Sequence, residues 1–93
     1  MRLSPQERKR LLIIVLRFFL QNGAQGIGDL RCHPPVAGYS PRFLSDLVSA
    51  MLLCGLLDDY GATSGRTYYT SHLGWIVLAT LDEHIDGKVE ESR

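Results

Sequence analysis

The 93-residue chain carries no net charge, because ten Lys and Arg side chains balance ten Asp and Glu. A bulk positive field, the simplest electrostatic argument for a nucleic-acid partner, is therefore missing. Cysteine is scarce as well. Cys32 and Cys54 make no CxxC pair, and His33, His72 and His84 make no HxxxH spacing. That pattern disfavours both a zinc site and a disulfide framework, so no metal and no cofactor is expected. Two isolated thiols fit a reducing cytoplasm. Cys54, set among leucines, reads as a small core residue. Long apolar runs are also missing. Arg17 interrupts the stretch LLIIVLRFFL, which is too short to span a bilayer, and no membrane partner is expected. Arg8-Lys9-Arg10 ahead of that stretch gives the charged-then-apolar order of a leader peptide. No clean small-x-small cleavage pattern follows, and a buried helix is the better reading. Catalytic patterns are equally thin. There is no Ser/His/Asp arrangement of helpful spacing and no phosphate-cradling loop. Asp58 and Asp59 are neighbours on a strand, which sends them to opposite faces. The chain is read as not an enzyme.

The zero average hides an asymmetry. Residues 1–45 hold seven cations against two carboxylates, and residues 46–93 hold three against eight, so the halves carry +5 and −5. Such a chain can present one basic face, or pair with a copy of itself. Its length suits a single domain over 1–93 with a modest core.

Local signals divide the chain. Ser4-Pro5-Gln6-Glu7 is a capping box with proline at the first helical position, and Asn22-Gly23 is a stop, so a helix is expected from Pro5 to about Gln21 within an N-terminal segment 1–23. The second half of this helix is apolar on every side, which calls for a second packing partner; in so small a domain another subunit is expected. Gly26-Ile27-Gly28 suggests a brief extended piece. Asp29 to His33 suggests a short second helix, ended by Pro34-Pro35. Ser40-Pro41 opens a third helix, whose core face is marked by Leu44, Leu47, Val48, Met51 and Leu52. Gly55 closes it. Leu57–Tyr60 and Arg66–Ser71 read as strands around the turn composition of residues 61–65. Residues 73–87 read as a C-terminal helix, again over-apolar, and 88–93 as a flexible polar tail.

Three segments carry a resemblance. MLLCGLL at Met51–Leu57 resembles the L-x-x-x-G-L-[IVL] stretch where the recognition helix meets the wing in prokaryotic winged-helix regulators. Phe43 to Val48 looks like the preceding part of that helix. Tyr68 to Gly74 is similar to the Y-x-L-T-x-x-G pattern that ends the wing. The resemblance spans about residues 25–80 and reaches the winged helix-turn-helix superfamily, including its MarR-like and PadR-like members. It implies an α+β, mostly α fold: residues 24–72 as helix-turn-helix plus a two-stranded wing, between long terminal helices. It also implies a dimeric regulator of transcription that binds double-stranded DNA. The candidate DNA contacts are Arg42, Ser45 and Ser49 on the third helix, Arg66 on the wing, and Arg31 and Tyr39 beside the turn. The candidate dimer interface is Leu12, Val15 and Phe19 from the first helix with Trp75, Leu78, Leu81 and Ile85 from the last.

The departures matter. Asp46, Ser49 and Ala50 occupy positions where such regulators often carry Arg, Lys, Gln or Asn, and Leu52 and Leu53 replace frequent charges. Arg42 near the helix N-terminus suits a phosphate or a guanine edge, whereas Asp46 repels phosphate. Arg42 and Arg66 equally fit solvated surface charge. The competing reading is a protein–protein module, in which the third helix docks a protein partner through its apolar side.

Overall fold

The computed structural model describes residues 3–61 and 65–85; the side chains of residues 82–85 lie outside that set. The fold is α+β and mostly helical: α1 (Pro5–Asn22), α2 (Ile27–Arg31), a 3-10 turn (Pro34–Val36), α3 (Pro41–Leu53), β1 (Leu57–Tyr60), β2 (Thr67–Thr70) and α4 (His72–Ile85). Ala62, Thr63 and Ser64 of the expected turn, residues 86–87 of the expected last helix and the expected tail 88–93 lie outside the described residues.

The caps form as the residue types dictate. The Ser4 hydroxyl accepts from the Glu7 amide at 3.1 Å, and the Glu7 carboxylate accepts from the Ser4 amide at 3.0 Å. Two of the amides that a helix leaves unpaired at its N-terminus are satisfied by this exchange. Ser40 accepts from the Phe43 amide at 3.1 Å and starts α3 on Pro41. At the far end of α3 the Leu56 amide donates to the Met51 carbonyl and the Gly55 amide to the Leu52 carbonyl, at 2.9 and 3.0 Å. This double bond pattern needs a left-handed residue between them, and Gly55 supplies it with φ of 83°.

The region after α1 departs from expectation. The helix α2 starts at Ile27, two residues early, because the Asp29 carboxylate accepts from the Gly26 amide at 3.1 Å and fixes the first turn there. The brief extended piece is Gln25 instead. It exchanges two backbone bonds with Tyr68, at 3.0 and 2.8 Å. The strand β2 therefore has a neighbour on each edge: β1, in antiparallel register with Leu57 opposite Thr70 and Tyr60 opposite Thr67, and Gln25 on the other side.

The helix α1 is the centre of the molecule. It packs against α4, β2 and the 3-10 turn, and its Leu11, Ile13, Val15, Leu16, Phe18 and Phe19 are all buried. Much of its apolar surface is thus covered by the chain's own elements, while Leu20 stays 42% exposed. Of the residues expected at a dimer interface, Val15, Phe19 and Leu78 lie inside this core. Val15 and Phe19 are at most 1% exposed and Leu78 is 6% exposed within one protomer. The Phe19 ring meets Tyr68 edge-on at 6.3 Å, and Phe18 lies 4.8 Å from His33, which assigns that histidine to packing. Cys54 corrects its reading as a core residue. It caps the C-terminus of α3 and is exposed.

One junction locks the second half. The Ser71 hydroxyl donates to the Gly55 carbonyl and accepts from the Gly74 amide at 3.0 Å, which caps α4. The Ser71 amide donates to the Leu56 carbonyl at 3.1 Å. Gly74 is buried there, and a Cβ on it would collide with the backbone of Leu56. Replacing Ser71→Ala removes the cap and leaves a carbonyl unpaired, an expected loss of about 2 kcal/mol. Gly74→Ala forces backbone apart and is expected to cost about 3 kcal/mol. In thermal melts the second variant should fall furthest, by roughly 10–20 °C for a domain of this size. Ser40→Ala, at an exposed cap, should fall least.

Candidate nucleic-acid interface

Arg42, Ser45 and Ser49 stand three and four positions apart on α3, so the helical repeat places them on one face. All three are exposed. The opposite side, Leu44, Val48 and Met51, is buried and anchors the helix. The exposed face is therefore rigidly presented, and its two serines let another molecule approach closely. Asp46 and Leu53 share it and are also exposed. Leu53, at 89% exposed, is the most exposed of the large apolar side chains described.

The other expected contacts lie on α2, on the turn before α3 and at the hairpin. Arg31 is the last residue of α2 and is exposed. Tyr39 is half-buried, and its ring stacks on Phe43 at 5.2 Å and 25°. That stacking ties the turn before α3 to the first turn of α3. Arg66 enters β2 from the hairpin, where its guanidinium lies 3.3 Å from the Asp59 carboxylate with both side chains nearly half exposed. An exposed ion pair of this kind is worth little in stability. It does take one of the few cations of the face and pair it with a neighbouring anion. Asp58 and Tyr60 on β1 are exposed too, Tyr60 at 73%.

The hairpin's charge balance was not visible in the sequence, because Asp59 and Arg66 meet only once the strand register is fixed. The expected interface residues on α1 and α4 divide. Leu12 and Leu81 are half-buried in the protomer, Trp75 is 51% exposed, and the side chain of Ile85 lies outside the described set. Leu73 and Ile76 are exposed near Trp75, and His72 stacks on the Trp75 ring at 6.2 Å. Among the described residues no helix is long and apolar enough to cross a membrane, and no group of three or more His, Cys, Asp or Glu is gathered in metal-binding fashion.

The division between buried and presented positions is testable by denaturant unfolding. Phe19→Ala should cost about 3–5 kcal/mol, as expected for a core aromatic. Leu53→Gln, on the presented face, should change stability by less than about 0.5 kcal/mol. Comparison of the chain with protein-family models and with curated protein sequences returns no match.

Proposed function

We propose that the chain is a winged helix-turn-helix protein that binds duplex DNA as a dimer and regulates transcription. The observation that carries the reading is the pairing of a core-anchored α3, with Arg42, Ser45 and Ser49 on its free face, with a β-hairpin that is held beside it through Gln25 and the Gly55–Ser71 junction. On this reading α2 and α3 form the helix-turn-helix and β1–β2 form the wing. The helix α3 enters the major groove, and its small serines allow close approach. Arg31, Arg42 and Arg66 meet phosphates.

The Asp59–Arg66 pair supports a signed prediction. Asp59→Asn removes an anion from the hairpin and leaves Arg66 to the phosphates, so binding to random duplex should tighten and its salt dependence should steepen. Arg42→Ala should weaken binding across sequences and lower the log–log salt slope by about one. Gel-shift titrations at several salt concentrations read both. No binding by the unsubstituted protein at low salt, where phosphate attraction is strongest, overturns the DNA reading.

For self-association the exposed apolar side chains of α4, Trp75 with Ile76 and Leu73, offer the contact. Trp75→Glu should yield a monomer in light scattering while keeping the thermal melt of the fold. Association should be nearly independent of salt, because the contact is apolar.

A second reading is favoured by Leu53 and Asp46. An exposed leucine and a carboxylate on the same helix face suit a protein partner better than phosphate. In that case Leu53→Gln abolishes complex formation with the partner, and Arg42→Ala leaves it intact.

A further inference from the structure

The flank of α3 next to its presented face opens onto a groove of about 450 Å³, shared with the N-terminal half of α1. Its floor is the buried pair Leu11 and Met51, and its walls include Phe43 and Leu47. Ala50 and the exposed Cys54 stand at its mouth. The volume lies in the range of small-molecule sites, which are largely apolar with few polar groups that fix orientation. Among the described residues one charged side chain lines this groove, and it is a cation: Arg8. Its guanidinium donates one hydrogen bond to the Leu3 carbonyl, at 3.1 Å. A guanidinium has five N–H donors, so most of them remain for an acceptor in the groove. Among the described residues no carboxylate lines the groove to compete for them.

We propose that this groove binds an amphipathic monoanion, an unbranched alkyl chain ending in a carboxylate. The chain lies along Leu11, Leu47 and Phe43, where each buried methylene contributes about 0.8 kcal/mol. The carboxylate meets the Arg8 guanidinium in a charge-assisted, bidentate geometry that neither an alcohol nor an ammonium reproduces. A cation at the rim and an apolar wall without counter-charge select the sign of the headgroup and the nature of the tail together.

Decanoate, decanol and decyltrimethylammonium, each below its micelle concentration, provide the probes. Calorimetric titration and the rate of Cys54 alkylation in a Cys32→Ser background provide the readouts. Decanoate should bind, raise the melting temperature and slow Cys54 alkylation. Decanol should bind more weakly and the ammonium least. Arg8→Gln should weaken decanoate about tenfold and leave decanol unchanged. Ala50→Phe, at an exposed position, should fill the mouth and abolish binding of both while the fold melts normally. The proposal is overturned by no decanoate binding, by equal affinity for the three headgroups, or by an unaltered Cys54 rate at saturation. It is also overturned if Cys54 is protected by raising protein concentration alone, which would make a second copy of the chain the occupant.

Discussion

The meeting of Gly55, Leu56, Ser71 and Gly74 is the constraint on which the rest of the structure depends. The end of α3, the start of β1, the end of β2 and the start of α4 converge there. Each residue meets a different demand: a left-handed backbone at Gly55, a hydroxyl that both donates and accepts at Ser71, and the absence of a Cβ at Gly74. Ordinary side chains at these positions would hold the elements apart. With them in contact, α3 and the hairpin are held together, and α4 packs against α1. The Thr70 hydroxyl, which donates to the Leu16 carbonyl of α1 at 2.7 Å, extends the same tie into the core.

Much of this was legible because it is local. Ser4-Pro5 and Ser40-Pro41 announce helix starts through one hydroxyl and one fixed φ, and Gly55 announces a helix end through its missing side chain. The strand Leu57–Tyr60 follows from its flanking turns, and the observed bounds agree. What escaped was what distance in sequence conceals. The start of α2 depends on a carboxylate three residues later reaching back to Gly26. The short extended piece depends on Tyr68, forty-three positions away, finding Gln25. Cys54 looked buried because its neighbours are leucines, yet its place at the helix end turns it outward.

The over-apolar helices show a more general limit. Composition reveals that α1 has more apolar surface than one face can bury, but not who covers it. The assumption of a second subunit treated α1 as a peripheral helix. Its position between α4, β2 and the 3-10 turn makes it central, so Val15 and Phe19 are consumed inside the protomer. Among the described side chains the exposed apolar surface of the two long helices is Leu20 on α1 and Leu73, Trp75 and Ile76 on α4.

That exposed surface bears on the proposed DNA reading. One protomer offers few phosphate contacts: Arg42 on α3, Arg31 at the end of α2, and an Arg66 already paired with Asp59. Two or three neutralised phosphates give a shallow salt slope and weak binding, since each contributes through about one released counterion. Two copies on one duplex double that number and convert the second encounter into an intramolecular one. On the proposed reading, DNA affinity and self-association are therefore not independent properties. A face with so few cations functions as a reader only if Trp75 and its neighbours bring a second such face to the same duplex. Were the α4 contact too weak for that, the same sparse charge and the exposed Leu53 would leave α3 better suited to a protein surface.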